Sequence, residues 1–194
     1  MTITRSSLLT LEAYARERKE MRARVIAHKK NRTLSLGEHV TVIFEDELTV
    51  RYQIQEMLRI EKTFEEQGIL DELDAYNPLV PDGTNLKATM MIEYEDPAER
   101  ARELARLRGI ERRVSMQVGA HEPVFAIADE DLERENEDKT ASVHFLRFEF
   151  TPSMIAGIKG AEPVAIAIDH PAYQVRIDEI APEVQAALAR DFGT

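Results

Sequence analysis

The dominant apolar period of this chain shifts from helical spacing to strand alternation, and the shift falls at Pro81-Asp82-Gly83. Before it, Leu11, Tyr14, Met21, Val25 and His28 recur at three, four and seven residues. Val50, Ile54, Met57, Leu58 and Phe64 form a second stripe of the same kind. After it, alternation over Lys87 to Tyr94 and over Ser142 to Phe150 reads as β-strand. Proline pre-sets φ and glycine accepts positive φ, so the triplet is a turn. The expectation is an α+β fold, with a helical region over 1–80 and a sheet region over 81–194, as two units or as one integrated domain.

Punctuation residues place the elements. Thr10 caps a first helix over Leu11 to Lys30, and Asn31 to Ser35 reads as a loop. His39 to Phe44 is a short strand or an extended lead-in. Glu45-Asp46-Glu47 opens a second helix that runs to Gln67, with Gly68 as its stop, and a shorter helix spans Leu70 to Tyr76. Asp96-Pro97 starts a helix that reaches Gly109, and Val114 to Val118 and Val124 to Ala128 are short strands. The acidic run 129–138 is a solvated loop or loose turn. A helical turn over Pro152 to Ile158, a strand over Val164 to Asp169 and a helix over Asp178 to Arg190 complete the chain. From Lys87 the order suggests a mixed or antiparallel sheet of about five strands, close to a ferredoxin-like split βαβ with a C-terminal helix.

Composition narrows the function. The 194 residues contain no cysteine, which excludes disulfides, thiol nucleophiles, iron–sulfur clusters and thiolate zinc sites and points to the cytoplasm. No apolar run approaches the length that crosses a bilayer, so no membrane partner is expected. A net charge of −11 makes nucleic acid a poor partner. The charge is uneven: residues 1–32 hold nine Lys/Arg against three Glu, and the remainder hold sixteen against 33 acids. That basic arm is either a solvated helix face or a surface for an anion or partner.

Four strings resemble a bacterial family. They are Arg51-Tyr52-Gln53-Ile54-Gln55-Glu56-Met57-Leu58-Arg59, Glu72-Leu73-Asp74-Ala75-Tyr76-Asn77-Pro78-Leu79-Val80-Pro81, Ser142-Val143-His144-Phe145-Leu146-Arg147-Phe148 and Ile168-Asp169-His170-Pro171-Ala172-Tyr173. The chain is similar over nearly its whole length to the domain-of-unknown-function family numbered thirty-five-oh-one. The resemblance implies no catalytic residues. It implies a link to oxidative stress or redox metabolism, through gene neighbours that encode rubrerythrin-like and iron–sulfur proteins.

Metal chemistry is the first test of that link. A di-iron carboxylate bundle needs Glu-x-x-His on facing helices, and no glutamate here has histidine three residues later. His-Glu-x-x-His is absent too. A remaining metal set is His144, Asp169 and His170. If their strands run parallel, the groups sit roughly 20 Å apart at ~3.3 Å per residue. If the strands pair antiparallel, His144 falls opposite Asp169. The alternative makes His144 a core residue on one face with Leu146, Phe148 and Phe150.

The second helix offers a ligand set. Glu47, Arg51, Gln55, Arg59 and Lys62 share one polar face, either solvated or built to receive an anion through bidentate arginine. The candidate ligand-binding residues are Arg51, Gln55, Glu56, Arg59 and Tyr173. Gln53 beside Gln55 is an unusual choice for a merely solvated helix. Asp169-His170 could supply a general base, but no Gly-x-Ser-x-Gly elbow accompanies it, and Asp169 also suits the turn before Pro171. Gly157-Ile158-Lys159-Gly160 matches a KH-type Gly-x-x-Gly loop, a short pattern that an ordinary turn explains. No phosphate-binding glycine loop is present, and no cofactor is expected.

Two functions follow as expectations. One is a non-catalytic accessory protein, a homo-oligomer that supports a redox system by binding another protein. The other is a small-anion- or metal-binding enzyme with its pocket between the second helix and the sheet.

Overall fold

Side-chain caps and prolines set most helix starts in the structure, a computed structural model that describes residues 2–136 and 138–193. In chain order the elements are α1 (Leu11–Lys29), β1 (Thr33–Leu36), β2 (Val40–Glu45), α2 (Glu47–Glu61), α3 (Glu66–Tyr76) and β3 (Asn85–Ile92). Then come α4 (Pro97–Arg106), β4 (Val114–Val118), β5 (Val124–Phe125), β6 (Ile127–Ala128) and β7 (Val143–Glu149). The chain ends with α5 (Pro152–Lys159), β8 (Val164–His170), β9 (Tyr173–Ile177) and α6 (Pro182–Leu188). Thr10, Asp46, Asp96 and Thr151 each accept a backbone N–H in the first turn of the helix they open. The fold is α+β.

The strands form two antiparallel sheets, which corrects the single split-βαβ sheet expected above. One sheet has the order β1-β2-β3-β7-β6, and the other has β5-β4-β8-β9. Their inner faces share one core: Val42, Phe44, Met90 and Phe148 from the first meet Val114, Met116, Ile166 and Ile168 from the second. The run Val124 to Ala128 is not one strand. It crosses from one sheet to the other at Ala126, whose N–H bonds Val114 O. β1 pairs with β2 where a loop was expected, and Gly37 turns between them at φ +76. A side chain there would also strike the Tyr173 hydroxyl, 2.5 Å from where its Cβ would lie.

Several helix boundaries also differ from expectation: α3 begins at Glu66, so Gly68 lies inside it, and α4 ends at Arg106, short of Gly109. α2 stops at Glu61 because Lys62 turns left-handed, φ 55, and its N–H closes on Leu58 O. The last helix begins at Pro182, not Asp178, because proline belongs at a helix start, and residues 178–181 link it to β9 without helix.

α1, α2 and α3 build a second, smaller core from Val50, Ile54, Leu58, Ile69 and Leu73, capped by Ile3 and Leu8 of the N-terminal segment. α2 lies over the outer face of the five-stranded sheet, the face carrying Ile43, Thr89, Met91 and Phe145. β2 pairs with β3 from Val40↔Ile92 to Glu45↔Lys87, so this sheet draws strands from both sides of Pro81. Among the described residues, no helix is long and apolar enough to cross a membrane.

Candidate functional site

Strand alternation decides which side chains reach the space beneath the helices. In β3, Leu86, Ala88 and Met90 point into the core, so Lys87, Thr89 and Met91 point out toward α2 and α3. The antiparallel register then sets Lys87 directly opposite Arg147 of β7. Like charges at that separation repel and weaken a sheet. Arg147 is fully compensated: it donates to both oxygens of Glu130, each at 2.8 Å, and to Glu149 at 2.5 Å. On the other side of Lys87 stands Glu45, but Glu45 accepts from Thr49 at 2.5 Å and Thr89 at 2.7 Å. Lys87 has no hydrogen bond and no ion pair among the described residues. Burial, and then the Arg147 charge beside it, hold its amine below the usual lysine range, while Glu130, Asp82 and Glu149 act in the opposite sense.

Lys87 opens into a cavity of about 390 Å³ between α2–α3 and the outer face of the sheet. Met57, Ala75, Leu79 and Phe145 give this cavity an apolar wall, and Glu72 of α3 lies on it. Burial, with Glu61 and Asp71 nearby, raises the Glu72 carboxyl above its ordinary value. Arg134 is compensated by Asp131 at 2.6 Å and Asp129 at 3.3 Å, and it lies 4.6 Å from the Phe145 ring centroid. Tyr76, Leu79 and Phe145 also line a second cavity of about 240 Å³, reached by Gln53, Thr49 and Lys29. The two share a wall and form one groove under the helical layer.

The residues singled out from sequence fall elsewhere. Arg51 and Gln55 line a different cleft, of about 370 Å³, against Glu17, Glu20 and Arg24 of α1. Gln55 is spent on the N-terminal segment, accepting from Leu9 N at 2.6 Å and donating to Leu9 O at 3.4 Å. Arg51 pairs with Glu47 at 3.3 Å. Glu56 accepts from Tyr14 at 2.6 Å, from Arg18 at 2.7 and 2.8 Å, and from Arg59, locking α1 onto α2. Tyr173 is on the other sheet, where its hydroxyl donates to Leu36 O at 2.5 Å and accepts from His39 N. Gln53 is the glutamine of the pair that faces the groove.

The three metal candidates do not meet. His144 belongs to β7 of one sheet, and Asp169 and His170 belong to β8 of the other. His144 Nδ1 bonds Asp129 at 2.6 Å and its Nε2 lies 2.9 Å from Thr140 Oγ1. The order Asp129–His144–Thr140 has the form of an orienter, a base and a nucleophile. His144 and Thr140 are 0% and 1% exposed, so no substrate reaches them. Their role is to pin the acidic loop, which is anchored to the sheet and not merely solvated; Glu137 of that stretch lies outside the described residues. His170 uses both nitrogens, accepting from Ala172 N and donating to Arg108 O, and Asp169 accepts from Gln174. Among the described residues no group of three or more His, Asp and Glu is placed to hold a metal ion.

The Glu56 network carries a prediction of its own. Arg18 above all, then Tyr14 and Arg59, bring the Glu56 carboxyl from an ordinary 4.5 down to about 2, against the effect of burial. A carboxyl depressed in the fold stabilises it fully above the unfolded value and less as pH falls toward the folded one. Glu56→Ala should cost about 2 kcal/mol at pH 7. The gap between variant and wild type should narrow as pH drops from 4.5 toward 2, as read by urea denaturation across pH.

Comparison with known proteins adds relatives without a function. Residues 2–192 match the model of a family described as Protein of unknown function (DUF3501). A crystal structure of a novel protein of unknown function from Burkholderia pseudomallei is 58% identical, with each chain covered over 100% of its length and a TM-score of 0.95. No curated protein matches the chain.

Proposed function

The chain belongs to the protein-of-unknown-function family DUF3501, and we propose that it binds a small organic anion in the groove between α2–α3 and the five-stranded sheet. Lys87 carries this reading. It is half-buried, opposite Arg147 and without a hydrogen bond or ion pair among the described residues, an arrangement that costs stability and that a bound carboxylate would relieve. An ammonium offers three donors, and the cavity volume suits a small ligand against an apolar wall. The test is a thermal-shift panel of small carboxylates followed by titration calorimetry of those that stabilise. At least one carboxylate with an apolar body should raise the melting temperature and bind stoichiometrically. Flat shifts across the whole panel would remove the reading.

A partner-binding accessory role, in a redox or stress-response setting, draws support from a different surface. Arg16, Lys19, Arg22 and Arg24 of α1 and Lys30 just after it stand exposed without an ion pair among the described residues, on a chain of net charge −11. That charge contrast suits an acidic partner or a second copy of the chain. Light scattering at low and high salt checks the second case, with an oligomer expected to dissociate in salt. A monomer at every concentration would exclude self-association.

A further inference from the structure

Two charges of opposite sign line the 390 Å³ cavity, and among the described residues neither has a hydrogen bond or an ion pair. Lys87 rises from the sheet and Glu72 descends from α3. Between them lies apolar surface, formed by Met57, Ala75, Leu79 and Phe145. The cavity's other charges are all paired: Arg147 with Glu130 and Glu149, and Arg134 with Asp131 and Asp129. Half-burying an unpaired charge is costly, and here the fold does it twice in one pocket.

We infer that the ligand is an amino carboxylate, with its carboxylate on Lys87, its ammonium on Glu72 and its carbon chain along the apolar wall. This deepens the anion reading and rests on Lys87 as the anion's contact. Each charge of such a ligand meets its opposite, so both half-buried groups are compensated in one binding event. A plain carboxylate compensates only Lys87 and leaves Glu72 unpaired. A plain amine does the reverse. Both shifts described above move these side chains toward neutrality, the direction a zwitterion would undo.

The experiment is titration calorimetry of the whole protein with linear amino acids from glycine to aminohexanoate, each beside the carboxylate and the amine of matching length. At one or more lengths the amino carboxylate should bind at least tenfold tighter than either single-charge analogue. Glu72→Gln should abolish that advantage while leaving the plain carboxylate's affinity unchanged, and Lys87→Met should lose both ligands. Equal binding with and without the amino group at every length would overturn the inference and leave the anion reading standing, as would Glu72→Gln weakening both ligands alike. If no member of either series binds, the anion reading falls with it.

Discussion

Arg32→Met is expected to destabilise the protein by about 3–5 kcal/mol, the usual cost of breaking a buried ion pair from one side. Arg32 is 2% exposed at the junction of three parts of the fold. Its guanidinium donates to Phe44 O at 2.9 Å, to Glu45 O at 3.2 Å and to Ala187 O at 3.3 Å, and it pairs with Asp191 and Asp46. One side chain thus ties the end of α1 to β2, to the start of α2 and to the C-terminal helix. Methionine fills the space but leaves three carbonyls and the Asp191 carboxylate without their donor. The loss should depend on pH. Burial pushes the Asp191 carboxyl up to about 6 even with Arg32 beside it, and without Arg32 it rises further. The variant can then take up a proton near pH 5 and avoid burying a bare charge, so its deficit should be smaller at pH 5 than at pH 8. Chemical denaturation at the two pH values measures this. Asp191→Asn, which keeps the guanidinium and its Asp46 partner, should cost less at pH 8 than Arg32→Met.

Arg32 also shows where the sequence stops being legible. As one of nine basic residues in the first 32, it looks like part of a charged arm, yet it is the most buried of them. Nothing in its local pattern distinguishes it from Arg22 or Arg24, because its partners come from residues 12 to 159 positions away. The helix starts at Leu11, Glu47, Pro97 and Pro152 were readable because caps and prolines act within four residues. Of the β1–β2 hairpin only the second strand was readable, because Thr33 to Leu36 is too short to show alternation clearly. The split into two sheets was hidden, because Ala126, where the chain crosses between them, carries no sign of it.

The residues that line the groove are not the ones the sequence singled out. A pocket between the second helix and the sheet was expected, and the groove lies there, but Arg51, Gln55, Glu56 and Arg59 turn to α1 and the N-terminal segment instead. Helical spacing tells which residues share a face, not which neighbour that face meets. The signal that could have found Lys87 was present: it is the one charge in an otherwise apolar and Thr-bearing strand, Leu86 to Ile92, covered on both faces. Arg147 stands alone among the charges of Val143 to Phe148 in the same way. Pairing the two needed the register of β3 with β7, which no local pattern supplies.

Lys87→Met separates a binding role from a structural one, because the two predict opposite stability changes. A structural lysine lost from a sheet leaves its partners unpaired and the fold weaker. Here Lys87 has no hydrogen bond or ion pair among the described residues and faces Arg147, so methionine should raise stability by about 0.5 kcal/mol through relief of like-charge repulsion. The same change should weaken carboxylate binding at least tenfold. A residue that costs stability and supports binding is what a functional site requires.

Thermal unfolding of the wild type and Lys87→Met, with and without the best carboxylate of the panel, therefore tests the anion-binding groove most directly. At about one hundred times its dissociation constant the ligand should raise the wild-type melting temperature by about 5–10 °C. The variant should start about 1–2 °C above the wild type and gain almost nothing from the ligand. A variant that starts lower, or that gains as much from the ligand as the wild type, would contradict the account.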